Sequence, residues 1–474
     1  MSAIGVGLAA TLGAPVAARS ELVGVPGCTD SVATPVAQPT AAQMRASGLG
    51  KLPVAPDHKR VDLVAPPFSD PTSVTNPLFP IGRLASVVLN GKVDGKPFRT
   101  ETTLLPDTRI IEWSPGQCVR TLVSQYVAYL GGRIQEVALD FYAQADDGSV
   151  WYFGEDVYNY EKGAVADTSG TWLAGKEGPA AMIMPAGPRV GDVNRPENIA
   201  GLVWEEVAVK TVGKTVDGPH GPVHGAMVGR ELHDDGSFSD KVFAPGYGEF
   251  YTAHEGDVEA LALAVPTDSL PGSPPLELRK LSRGADRIFR QVRFTRRLNA
   301  SRTLARMRAT WRMHRSRGVP PRLVAPTNRA LRELAGAVRS RHPGRARNAA
   351  LDVVQAALDL QLRYRSPVEI DRARFDLWAR QAQVDAVAGR RSAVAGDVAA
   401  LEWIRDRFAH AVDSVALTRI DTRMEELRAN VTDRELAAAT KTAAALRRAL
   451  KQASATGAAS GVSPRSRARA AHRD

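Results

Sequence analysis

The densest chemistry in the chain lies between Leu139 and Glu155. Leu139-Asp140-Phe141-Tyr142-Ala143-Gln144 and Trp151-Tyr152-Phe153-Gly154-Glu155 flank the turn-forming Asp146-Asp147-Gly148. A short loop at Ala145–Gly148 predicts a hairpin with Tyr142 opposite Trp151 and Asp140 opposite Phe153. Period-two alternation then puts Asp140, Tyr142, Gln144, Trp151, Phe153 and Glu155 on one face. Two carboxyls among large aromatics can line a ligand cavity, where their acidity would be perturbed. The same pair, Asp140 and Glu155, is also what a hydrolase would use as acid and base. The plainer alternative is a sheet face with an aromatic core and carboxyls bonded to turns. A slip of one residue in register would scatter the set.

Two other groups carry metal-ligand residue types. His220-x3-His224, with His233, Asp234 and Asp235 downstream, lies in a Gly/Pro-rich stretch whose spacing constrains little. Glu402-x3-Asp406-x3-His410 stacks along one side of a helix, with Asp352, Asp359 and Asp371 available from neighbouring helices. Arg363, Arg405 and Arg407 are equally placed to form salt bridges with these acids, which is the expected outcome. The sequence has no G-x-S-x-G, no H-E-x-x-H and no P-loop, so no cofactor is expected. Cys28 and Cys118, the only 2 cysteines, allow one disulfide and exclude a cysteine-based zinc site.

The elements that position these residues fall in two unlike halves. Residues 76–265 alternate in short runs broken by Gly, Pro, Asn and Asp, with a second turn at Gly131-Gly132. This predicts an antiparallel β meander closed as a sandwich, barrel or half-barrel. A proline-rich linker is expected at 266–275. Beyond it, Leu281, Ala285, Ile288, Val292 and Leu304, Met307, Trp311 recur at helical spacing, and 276–453 reads as an all-α bundle. The expected architecture is therefore multidomain, β then α. Residues 1–18 form a candidate signal segment ending Val16-Ala17-Ala18, although no Lys or Arg precedes its apolar run. Residues 19–75 read as a flexible leader and 454–474 as a disordered tail.

Charge divides at the same place. The net +11 splits into roughly −12 before residue 277 and roughly +23 after it. Arginines of the stretch 279–347, among them Arg290, Arg293, Arg297, Arg308 and Arg312, outnumber its two acids, Asp286 and Glu333. Such a helix face suits an anionic envelope surface, lipid or wall polymer. Nucleic acid is the weaker candidate, because no zinc-finger or RNP-like signature is present. No stretch is long and apolar enough to span a membrane.

The hairpin also resembles a motif of exported bacterial proteins of unknown function. The residues that carry it are Asp140-Phe141-Tyr142-Ala143-Gln144 with Asp147-Gly148-Ser149-Val150-Trp151-Tyr152-Phe153-Gly154-Glu155. Gly170-Thr171-Trp172-Leu173-Ala174-Gly175, Met182-Ile183-Met184-Pro185 and Phe243-Ala244-Pro245-Gly246-Tyr247-Gly248 extend it, in order, over about residues 76–265. The resemblance implies an exported β domain and carries no activity with it. Together these readings anticipate an exported or envelope-associated binding protein rather than an enzyme. Its β domain would hold a ligand or partner, and its helices would contact an anionic surface.

Overall fold

The computed structural model describes residues 28–29, 31–291 and 297–453. The segment 1–18, the tail 454–474 and Arg293 lie outside the described residues. In chain order come β1 (Thr34–Pro35), α1 (Ala41–Ala46) and β2 (Val64–Ala65), then the strands of the large sheet. These are β3 (Ser86–Val93), β4 (Lys96–Ser114), β5 (Gln117–Leu130), β6 (Arg133–Gln144), β7 (Val150–Glu161), β8 (Ala164–Asp167) and β9 (Trp172–Leu173). They continue as β10 (Ala181–Met184), β11 (Val193–Ile199), β12 (Val203–Gly218), β13 (Gly221–His233), β14 (Phe238–Ala244), β15 (Gly248–His254) and β16 (Asp257–Val265). The helical half holds α2 (Leu276–Gln291), α3 (Arg297–Arg315), α4 (Pro321–Arg339), α5 (Pro343–Gln361) and α6 (Pro367–Val387). It ends with α7 (Arg391–Phe408), α8 (Ser414–Thr432) and α9 (Leu436–Gln452). Among the described residues no helix is long and apolar enough to cross a membrane.

The expected antiparallel β region followed by helices is what the chain forms. Its 14-stranded sheet runs β10-β7-β6-β5-β4-β3-β16-β15-β14-β13-β12-β11, with β8 and β9 hung on β7. The two ends of this path approach each other, and the Asn194 side-chain amide of β11 donates to the Met182 carbonyl of β10 at 2.8 Å. The sheet is thus curled until its two end strands meet, with no ladder between them. Alternation sorts its two faces. On β3, Val87 and Leu89 face the hollow and Val88 faces out; on β6, Glu136, Ala138 and Asp140 face in and Val137 faces out.

The outward face is where the helices sit. Val88, Val127, Tyr129, Ile134, Val137, Leu263 and Val265 share one apolar cluster with Leu278, Leu334, Phe375, Ile404 and their neighbours. Tyr129 stacks on Trp378 at 5.4 Å between centroids. A buried ion network crosses the same seam. Glu101 of β4 pairs with Arg99 at 2.6 Å, with Arg374 of α6 at 3.2 Å and with Arg407 of α7. Asp359 of α5 bridges Arg99 and Arg374 at 2.7 and 3.0 Å, and Asp371 lies 3.1 Å from Arg374. The arginines and carboxyls alternate, so each charge taken from water meets an opposite one.

Two expectations about connecting segments need correction. Residues 31–75 are not a loose leader: Leu49, Asp62, Ala65, Phe68 and Val74 are buried. The Phe68 ring meets Trp113, Trp151 and Phe153 edge-on. Asp62 accepts from the Arg195 amide at 2.8 Å, and Ser69 is held by Asp146. This stretch buries single side chains at irregular intervals, and so leaves no period to read. The Pro-rich 266–275 is likewise tied down. Asp268 accepts from Tyr247 and from the Ala264 amide, both at 2.8 Å, and the Leu270 amide donates to the Arg363 carbonyl.

Candidate ligand cavity

The curled sheet lines a partly open cavity of about 520 Å³. Asp140, Tyr142 and Glu155 line it as the sequence suggested; Gln144, Trp151 and Phe153 do not. Cross-strand pairing explains the split. Gln144 faces Val150, Ala143 faces Trp151 and Tyr142 faces Tyr152, after which the register shifts and Asp140 faces Glu155. The real pairing is one residue off the predicted one, so Trp151 and Phe153 turn into the apolar cluster with Phe68 and Trp113. Gln144 lies beyond the rim, accepting from the Thr75 and Asn76 amides at 2.7 and 2.9 Å.

A β-bulge restores the carboxyl pair. Between the two registered pairs β6 advances two residues and β7 three, so Tyr152 and Glu155 share a face despite their odd spacing. Gly154 supplies the bend with φ +118°, where a Cβ would stand 2.2 Å from the Trp172 carbonyl oxygen. Tyr152 is the residue that strict alternation missed. Its hydroxyl donates to Asp140 at 2.9 Å, and its ring stacks on Tyr142 at 4.8 Å.

More carboxyls enter from strands far away in sequence. Glu136, Glu197, Glu205, Glu231, Glu249 and Glu259 line the same cavity, against Lys241 and His233. Their inward alternation, as in Glu136-x-Ala138-x-Asp140 and Glu231-x-His233, was the available signal. Its meaning depends on knowing which face is inward. Burial raises the Asp140 carboxyl to about 7, with Glu136 and Glu249 adding to the shift and the Tyr152 hydroxyl opposing it. Burial, then Asp140 and Glu197, raises Glu155 to about 10. Glu197 is raised to about 8 by burial and Glu205, and Glu259 to about 7 by burial and Glu249. Glu231 differs: burial pushes it up, but the Lys241 ammonium at 3.0 Å brings it below the ordinary range.

Neither a protein-family model nor a curated protein matches this chain. The cavity is therefore read from its own chemistry.

Among the described residues one group has metal-binding geometry: ligand atoms of Glu205, Glu231 and His233 lie within 4.8 Å of one another. Lys241 already neutralises Glu231, and Ser239 bonds both Glu231 and the His233 ring. His233 thus meets Glu205 and Glu231 rather than the His220, His224, Asp234 and Asp235 that lie near it in sequence. His224 instead meets Thr215, and His220 lies between Asp268 and Arg363. The trio Glu402, Asp406 and His410 does not converge. Glu402 pairs with Arg428 and Asp406 with Arg405, while α7 ends at Phe408, so His410 is off the helix.

On the helical half Arg290, Arg308 and Arg312 are exposed, and Leu304, Met307 and Trp311 are buried beneath α3. The basic residues there form a solvent-facing surface on an amphipathic layer.

Proposed function

We propose that the protein is a non-catalytic binding protein of the cell envelope or exterior. The cavity is its ligand site and the arginine face of α2 and α3 its contact with an anionic surface. The observation that carries this reading is the hollow itself. Its size is that of a small-molecule site, and its wall mixes aromatic rings, aliphatic side chains and converging polar groups. Asp140 and Glu155 are both shifted toward the protonated form, which suits ligand recognition better than a split acid–base pair. The Cys28–Cys118 disulfide and the resemblance to exported proteins support an oxidising compartment.

The test is a thermal-shift and native mass-spectrometry screen of the full chain with cationic, anionic and neutral small molecules. At least one class is expected to stabilise it, and Ala138→Trp, which fills the cavity wall, to abolish the shift. If no class binds, or binding survives the filling, the cavity is not the site. Sedimentation with phosphatidylglycerol vesicles tests the surface contact: binding at low salt should weaken in Arg308→Glu/Arg312→Glu. Equal binding to neutral phosphatidylcholine would remove that half of the reading.

A further inference from the structure

We propose that the cavity takes a small aliphatic polyamine, one primary ammonium of which is seated in the row Ser124–Asp140–Glu155. The inference rests on the reading of the hollow as a ligand site and names the class of ligand.

Three strands build this row side by side. Ser124 of β5 is registered opposite Asp140 of β6, and Asp140 opposite Glu155 of β7. All of them line the cavity. The Ser124 side chain is fully buried, and its hydroxyl has no hydrogen-bond partner. An orphaned hydroxyl beside the Asp140 carboxyl, with Glu155 one strand further on, is costly unless something binds there. A primary ammonium has three N–H donors and no acceptor. Three acceptors from three adjacent strands match it, whereas a carboxylate or phosphate would meet a wall rich in acids whose one lysine, Lys241, is already paired with Glu231.

The protein's own ammonium shows that this wall accepts such a group. Lys241 reaches Glu231 at 3.0 Å, with Glu205 and Glu249 also holding its charge. Asp140, Glu155, Glu136, Glu197 and Glu259 form no salt bridge among the described residues. A second group of acids, Glu136, Glu249 and Glu259, lies along the hollow. Glu136 is four residues from Asp140 on β6, about 13 Å at 3.3 Å per residue. That is the scale of an extended polyamine rather than of an ion. Leu84, Val87 and Leu89 line the same space and suit its methylenes, and the Tyr142 and Tyr152 rings suit a cation.

A bare divalent cation fits less well. Among the described residues the one cluster with ligand geometry has Glu231 already paired with Lys241, and the remaining acids are spread over the wall. An ammonium bound at Asp140 and Glu155 would hold them ionised, so binding should release protons to the buffer.

The experiment is titration calorimetry of the full chain with spermidine and 1,6-diaminohexane, in buffers of different ionisation heat. 1,6-Hexanediol and zinc or magnesium chloride serve as comparisons. Binding of the amines with proton release is expected, at least tenfold weaker in Asp140→Asn and Glu155→Gln and several-fold weaker in Ser124→Ala. Circular dichroism of each variant checks its fold. Amines that bind no better than the diol would overturn the proposal, as would unchanged affinity in folded Asp140→Asn. A metal response lost in Glu231→Gln, with no amine binding, would also overturn it. If a neutral compound binds and Ala138→Trp abolishes it, the cavity reading stands and the polyamine falls. If nothing binds, both fall.

Discussion

Asp140 and Glu155 face each other directly across β6 and β7, although a regular hairpin would have turned one of them away. The bulge at Gly154 brings them together, and burial then makes both reluctant to ionise. Their proximity is a property of one extra residue.

The first prediction follows from that glycine. Gly154→Ala combines a left-handed φ of +118° with a Cβ 2.2 Å from a backbone oxygen. Loss of more than about 2 kcal/mol in urea denaturation is expected. Ligand binding should fail with it, because Tyr152 and Glu155 can no longer share a face. A variant of native stability would show that the bulge tolerates a side chain.

The second concerns pH. Asp140 titrates from an ordinary 3.8 when unfolded to about 7 when native. Between those values the native state holds the extra proton, so stability falls as pH rises, at up to about 1.4 kcal/mol per pH unit. Glu136, Glu249, Glu155 and the Tyr152 hydroxyl face it, and Glu155, Glu197 and Glu259 shift the same way. Asp140→Asn should therefore make the slope of unfolding free energy against pH shallower across this window without removing it. An unchanged slope would mean that Asp140 ionises freely.

The third tests how the halves are joined. Glu101→Gln removes the carboxylate that Arg99, Arg374 and Arg407 share in a buried seam, leaving Asp359 and Asp371 to balance three arginines. A loss of about 3–5 kcal/mol is expected. Tryptophan fluorescence and circular dichroism should still report one coincident transition. Separate transitions in the native chain would show that strands and helices unfold independently.

The fourth concerns the disulfide. Cys28 and Cys118 are 90 residues apart, and Cys118 is buried on β5. Cys118→Ser, or reduction, should cost about 2–5 kcal/mol. Non-reducing peptide mapping would show the linked pair, and a reductant-insensitive denaturation midpoint would contradict its structural role.

Residue order alone determined the class of each half, because period two and period 3.6 are local properties of a chain. It also marked Asp140, Tyr142 and Glu155, since acids among aromatics are unusual anywhere. What it could not determine was the face each residue occupies. A hairpin register one residue off the expected one put Trp151 and Phe153 in the core and Tyr152 in the cavity, and the bulge at Gly154 then returned Glu155 to the cavity face. Nor could it gather Glu197, Glu231, Glu249 and Glu259, which meet only because the sheet curls until β11 approaches β10. The apparent division near residue 270 was real in charge and period. Only the tertiary structure decided that Glu101 and Arg407, 306 residues apart, share one buried ion network. A contact of that range depends on which surfaces remain to be buried once each half has formed, and no local pattern records it.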